Sequence, residues 1–456
     1  MRTIPHLRAG LMCFFLASSW HWGFTQQQTA PLTLREAVEV SLEKSPDRTM
    51  AQTAVDAGRE GSRLARTALL PSLTFSEAAT RGNDPVYVFG TRLRQQRFQQ
   101  SDFALNSLNR PLPINDFTTR FAGNWMAFDS WHTQFEIRRA DLLAKSSSAA
   151  ATRADQEIVH RAVEAYESIL LAMRQVEVAQ RDVETAKALL GSSENKVKAG
   201  LAVDADQLTA AANLSERQQN LISAQGRVEV SWAELEAAIG ELIPPEARNL
   251  RPLGERHFDP LPLADELAVA LKSRPDREDL ALQRQAQQAA VQSARSAFGP
   301  QISTFGSWQT DRPSIAGAGG NNWLAGAELR VDILPAAKRE NLALAKIALR
   351  RAEAATASAD QQIRLEVTRA YYEHQAAQQM LDVARASTAQ TAESLRILQN
   401  RYQAGVATMT ELLRAEDAET QSSANYWQAV SRNTLTYANL KFATGTLTPG
   451  SVEDLQ

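Results

Sequence analysis

The chain has 456 residues, is 44% hydrophobic, 22% charged and 7% aromatic, and holds 17 Pro and 21 Gly, a balance that supports a buried apolar interior and excludes disordered, collagen-like and low-complexity classes. Its 49 Lys and Arg against 52 Asp and Glu leave a formal charge of -3 with no long basic run, which excludes the electrostatic footprint of a nucleic-acid binder. The single Cys excludes a disulfide framework and any multi-thiolate metal site, because each needs a second sulfur.

At the N-terminus, Arg2, His6 and Arg8 precede the apolar run Leu11-Met12-Cys13-Phe14-Phe15-Leu16-Ala17, and Ser18-Ser19 and Gln26-Gln27-Gln28 follow. This pattern is that of a secretory signal, expected over residues 1–25 with cleavage somewhere in 19–30. No later stretch reaches the roughly 18 apolar residues of a membrane-spanning helix, so entry into a membrane requires strands.

Thr33 followed by Glu36 signals a capping box, opening a helix expected to run toward Leu70, where Pro71 stops it. Strand-like alternation follows, with Phe121, Gly123, Trp125 and Ala127 on one face against Arg120, Asn124 and Met126. Leu73 to Arg81 is the natural hairpin partner, placing the first strand region at about residues 72–128. From His132 to Lys198 there is no Pro and one Gly, Gly191. Small or apolar residues recur there at Ile158, Ala162, Ala165, Ile169, Ala172, Val176, Ala179, Val183, Ala186 and Leu190, alternately four and three apart. That is a coiled-coil seam whose alanines admit a close partner, on a helix of roughly 100 Å. A turn at Lys198-Ala199-Gly200-Leu201 reverses the chain, giving a helical hairpin over about 133–240 and a first repeat over 31–240. A linker at 241–262 follows, marked by Pro244, Pro245, Pro252, Pro260 and Pro262.

The second half repeats the first. Leu263 to Pro300 matches Leu34 to Pro71, with Arg274-Pro275-Asp276-Arg277 lying over Ser45-Pro46-Asp47-Arg48, and Gln403-Ala404-Gly405 lies over Lys198-Ala199-Gly200. The second repeat spans 263–445, with strands at about 301–333, a hairpin at about 336–445 and a tail at 446–456. The two offsets differ, so the first half carries about 24 extra residues, placed around Asn83 to Phe117. Trp125, Trp308 and Trp323 suit a membrane-interface girdle.

A search for chemistry finds no catalytic, cofactor or metal constellation. His132, His160, His257 and His374 lack paired ligand spacing, and no phosphate loop, dinucleotide fingerprint, nucleophile elbow or zinc-protease motif is present. Ser193-x-x-Lys196 matches a nucleophile pattern by letters alone, without its companion motifs. The chain does not read as an enzyme.

Leu32-Thr33-Leu34-Arg35-Glu36-Ala37-Val38, the following Ser45-Pro46, the duplicated halves and the paired turns at Gly200 and Gly405 together resemble the TolC-like outer-membrane efflux protein family, over essentially the whole mature chain. The resemblance implies a mainly α protein with a membrane β-barrel: a homotrimer whose strands form one 12-stranded barrel in the outer membrane and whose helices form a periplasmic α-helical barrel. It implies a passive conduit for tripartite efflux or type I secretion, with a periplasmic adaptor (membrane fusion protein) and an inner-membrane transporter of RND, ABC or MFS type as partners. By the same resemblance, Gly200, Leu201, Gly405 and Val406 form the adaptor-binding tip. Asp206 matches the family's gating acid and Tyr402 its hydrogen-bond partner, while Glu411 supplies an acid to a ring about the axis. Two departures stand out: Ala407 replaces an Arg that pairs with this acid in some members, and Arg414 stands where a second acid can occur. Independently, about four strands cannot close a membrane barrel, which demands an oligomer, although residues alone do not choose between two and three chains. The alternatives are a periplasmic coiled-coil adaptor or scaffold, for whose lipoyl-like or small β-barrel domain the duplicated order leaves no room, and an extracytoplasmic helical binding protein. Cargo is not written in a passive conduit.

Overall fold

The computed structural model describes residues 31–455, so the expected signal segment lies outside the described residues. The capping box opens α1 (Leu34–Lys44): Glu36 N–H donates to Thr33 Oγ1 at 3.2 Å, and Thr33 N–H donates to Glu36 Oε2 at 2.9 Å. The single helix anticipated from here to Leu70 is instead two, α1 and α2 (Pro46–Thr67). Pro46 has no N–H to continue α1 and pushes Ser45 to an extended conformation (φ -62, ψ 126), yet its fixed φ suits the first position of a new helix. The same break at Arg274-Pro275 separates α7 (Leu263–Ser273) from α8 (Pro275–Ser296).

β1 (Ser72–Gly82) and β2 (Ile114–Phe128) follow in the first half, and β3 (Gln301–Arg312) and β4 (Gly320–Arg330) in the second. The first connection, 83–113, contains α3 (Pro85–Arg94) and α4 (Leu105–Asn109), whereas the second is only 313–319, so the excess of the first half sits between its strands. The four strands form one antiparallel sheet in the order β1-β2-β3-β4, with a register shift at Met126/Phe128.

Two neighbouring rows across this sheet have opposite chemistry. Phe75, Phe121, Trp308 and Trp323 lie opposite one another, and one residue along lie Ser76, Arg120, Gln309 and Asn322. Alternation therefore gives an apolar face, with Trp323 79% exposed, and a polar face that also carries Glu328 and Arg330.

Each strand pair feeds a helical hairpin. α5 (His132–Lys198, 67 residues) turns into α6 (Asp204–Ile239), and α9 (Ala336–Gln403, 68 residues) into α10 (Met409–Ala443). Along the seam Ile158, Ala162, Ile169, Ala172, Val183 and Ala186 are buried, as are Ile363, Val367, Ala370, Ala377 and Leu381 in α9. The largest core lies at mid-height. It gathers Leu34 and Val38 of α1, Ile169 of α5, Leu235 of α6, and Leu447 and Leu455 of the segment after α10. Tyr166 Oη lies within hydrogen-bond reach of the carbonyls of Leu32 (2.8 Å) and Arg251 (2.7 Å), tying the stretch just before α1 and the inter-repeat linker to α5.

Candidate functional site

The distal ends of the two hairpins share one construction. Gly200 (φ 71) and Gly405 (φ 73) take the left-handed conformation that ends a helix without a Cβ penalty. Gly200 N–H bonds Val197 O at 2.9 Å and Leu201 N–H bonds Lys196 O at 2.8 Å; at the other turn Gly405 N–H bonds Tyr402 O at 3.1 Å and Val406 N–H bonds Arg401 O at 2.9 Å. In this motif the apolar residue after Gly ordinarily folds back onto its own helix. Here it does not: Leu201 is 79% and Val406 67% exposed, so each tip presents one apolar side chain to its surroundings.

Behind the tips the hairpins pack on each other through Leu189, Ala210, Tyr402, Met409 and Leu412. The anticipated Asp206–Tyr402 hydrogen bond is not made within the protomer. Tyr402 Oη is buried with no partner, and its phenol pKa is raised first by burial and then by the nearby Asp206 charge. The contact to Tyr402 comes instead from Lys196, whose Nζ donates to Tyr402 O at 2.9 Å and sits 3.7 Å from the ring centroid. Lys196 is thus a residue the sequence reading set aside. Ser193, its motif companion, is fully buried with an unpartnered Oγ, which no substrate can reach.

Asp206 is a half-buried acid in the first turn of α6, and Glu411 is an exposed one in the first turn of α10. Glu411 completes a capping box, accepting from Thr408 N–H at 2.7 Å and Thr408 Oγ1 at 2.9 Å, and these bonds hold its carboxyl below the usual range. The places of Ala407 and Arg414 add no second acid to this turn.

Above the tips lies a layer of charge that sequence reasoning missed. Arg217 of α6 pairs with Asp417 of α10, Thr420 Oγ1 donates to Asp182 Oδ1 of α5 at 2.9 Å, and burial pushes Glu416 up to about 7 against the pull of Arg217. The available signal was the cluster of acids Glu416, Asp417 and Glu419 within a few residues of one another in the helix after the Gly405 turn. Among the described residues, no group of His, Cys, Asp and Glu is arranged to hold a metal ion, and no helix is long and apolar enough to cross a membrane.

Comparison with known proteins fits this architecture. The family described as outer membrane efflux protein matches residues 37–241 and 267–446, one match per repeat. The alkaline protease secretion protein AprF of Pseudomonas aeruginosa is 25% identical over 433 residues, covering 92% of this chain and 86% of the relative. Among solved structures, the Campylobacter jejuni CmeC outer membrane channel superposes with a TM-score of 0.79 at 16% identity, covering 99% of this chain and 97% of the other. The open state of the Neisseria gonorrhoeae MtrE outer membrane channel gives 0.76 at 20% identity, covering 91% and 90%. With both repeats matched and the sheet, hairpins and tips in place, the chain belongs to the outer membrane efflux protein family, as an outer-membrane export channel subunit and not an enzyme.

Proposed function

We propose that three copies of this chain join their sheets edge to edge into one twelve-stranded barrel in the outer membrane, and stack their hairpins into a periplasmic tunnel. The observation that carries this reading is the pair of rows across the sheet, apolar Phe75-Phe121-Trp308-Trp323 beside polar Ser76-Arg120-Gln309-Asn322. A two-faced sheet with free β1 and β4 edges is untenable in lipid until closed, and single-chain barrels start at about eight strands. Closure puts the aromatic face on outer-membrane lipid and Glu328 and Arg330 in the wet lumen.

The tips at Gly200, Leu201, Gly405 and Val406 dock a periplasmic adaptor, which couples the tunnel to an inner-membrane transporter of RND, ABC or MFS type. Their exposed Leu201 and Val406 support this role. Lys196, Tyr402, Asp206 and Glu411 lie beside these turns and form the gate. The AprF name, which speaks of protease secretion, favours a polypeptide cargo, whereas CmeC and MtrE are titled only as channels.

The test is membrane fractionation with electrophoresis before and after heating. A heat-modifiable trimer in the outer membrane is the expected result; a soluble periplasmic monomer overturns the reading.

A further inference from the structure

The connection between β1 and β2 does not stand away from the sheet. Phe89, Phe98 and Phe103 pack edge to face at centroid distances of 4.8 and 5.1 Å, and Arg92 pairs with Asp102, so segment 83–113 is folded on itself. It is also fastened to the sheet at the end remote from the helices. Gln95 Nε2 donates to Asn115 O and to Asp116 Oδ1, both at 2.9 Å. Asn322 Nδ2 donates to Arg94 O at 3.1 Å, and the Arg94 guanidinium lies 4.0 Å from Asp311. Gln309 and Thr118 donate to the same Asp311 carboxylate at 2.9 and 3.1 Å. A Cβ at Gly320, the residue opposite Asp311, would collide with the Arg94 carbonyl, so α3 presses directly on the β4 backbone.

The anchors share a face. Asp116, Thr118, Gln309, Asp311 and Asn322 all fall on the polar side of the sheet, in register with Arg120. Asp116 and Asp311 are 3% and 1% exposed although they sit at a strand end, because α3 covers them. Several large apolar side chains of the segment, Val86, Leu93, Phe103 and Leu105, are exposed in the single chain. A loop standing in water gains nothing from such residues, whereas copies brought together over the mouth cover them.

We propose that segment 83–113 is an inward-folded cap, latched to the lumen face through Gln95–Asp116 and Arg94–Asp311, and that three caps narrow the extracellular mouth as a barrier separate from the periplasmic tip. The inference rests on the barrel reading given above. In that barrel the polar face is the lumen, and the strand end remote from the helices is the outside.

The experiment reads the cap from outside, independently of the periplasmic gate. Single reporters Ser307→Cys, on the polar face in mid-strand, and Ser314→Cys, in the β3–β4 connection, are labelled on intact cells with a small charged maleimide and with a bulky polymer-linked maleimide. Ser314→Cys is expected to react with both, and Ser307→Cys with the small reagent only. Releasing the latch with Asp116→Asn plus Asp311→Asn, or removing residues 86–110 behind a short Gly-Ser link, raises polymer labelling of Ser307→Cys about tenfold, as loss of bonds to two charged anchors predicts. The two releases act by different routes, and either one that retains the heat-modifiable trimer decides the matter. Polymer labelling of Ser307→Cys that is equal with and without the latch overturns the cap while leaving the barrel standing. Silence of Ser314→Cys toward both reagents overturns the barrel orientation and the cap with it.

Discussion

Lys196 holds one neighbour at two points, the carbonyl and the ring of Tyr402, and so bridges hairpins from opposite halves of the chain. A cation over an aromatic face contributes about 1 kcal/mol and a charge-assisted bond about 1.5–3 kcal/mol, enough to set a closed–open balance. Lys196→Met is therefore expected to raise channel open probability about tenfold in planar bilayers. Tyr402→Phe keeps the ring and the carbonyl and loses a hydroxyl without a partner in the protomer, so it should change little. The opposite ranking would remove Lys196 from the gate. At Glu411 the capping and charge roles separate cleanly, because Gln can also close a capping box. Glu411→Gln should preserve stability and weaken block by divalent cations applied from the helical end; unchanged block would leave Glu411 as a helix cap alone. Neither role of Lys196 was legible beforehand. Spacing places Asp206, Tyr402 and Glu411 near a turn, but which side chain reaches across depends on how α5 meets α9, and one chain segment carries no record of that.

Glu167 gives the residue scale a pH dependence. Burial pushes its carboxyl from 4.5 up to about 7, although hydrogen bonds to Ser431 and Thr434 pull it down. Below pH 4.5 both folded and unfolded carboxyls are protonated and burial costs nothing; the cost grows as the unfolded chain ionises, and is complete once pH passes about 7. Glu167→Gln should thus stabilise by up to about 3 kcal/mol above that pH and by almost nothing below pH 4.5. Denaturation midpoints shifted equally at both extremes would contradict this.

At the scale of elements, the tips are where backbone and exposed side chain have separable effects. Leu201 is mostly exposed and Gly200 already supplies the left-handed residue, so Leu201→Asp should leave trimer and insertion intact and abolish export. Gly405→Asp adds about 1 kcal/mol of left-handed strain, and should lose export together with some stability of the α9–α10 hairpin. Adaptor cross-linking at wild-type yield in Leu201→Asp would exclude the tip from docking. Strands and turns were the most legible elements. Period-two alternation named the apolar face through Phe121 and Trp125, and the changed repeat offset located the excess between β1 and β2. The break before Pro46 was missed because apolar periodicity continues through Ser45-Pro46, although Pro at the start of a helix is its usual mark. The inward fold of 83–113 was illegible for another reason: Gln95, Asp116 and Asp311 look like ordinary loop polarity until the sheet register brings them together.

For the whole molecule, the decisive quantity is how much of the chain one core recruits. The segment after α10, which in sequence is only a tail, supplies Leu447, Val452 and Leu455, all essentially buried, to the core that holds Leu34 and Val38. Placing a charge there leaves it without a partner in an apolar setting, so Val452→Asp is predicted to cost about 3 kcal/mol or more and to reduce the heat-modifiable trimer. Trimer yield and denaturation midpoint equal to wild type would show the tail to be dispensable.

That shared core also imposes an order of events. A chain is made from its N-terminal end, so Leu34 and Val38 emerge about four hundred residues before Leu447 and Leu455, which help to cover them. Until residues 447–455 have been made α1 has no complete seat, and contacts this distant in sequence close slowly because loop entropy is lost before they form. The nascent protein therefore passes through a period in which the apolar stripe of α1 and the unpaired sheet edges are bare together. Such surfaces are those on which chaperones act and aggregates start, which makes arrival of the segment 447–455 the step that commits the protomer to assembly.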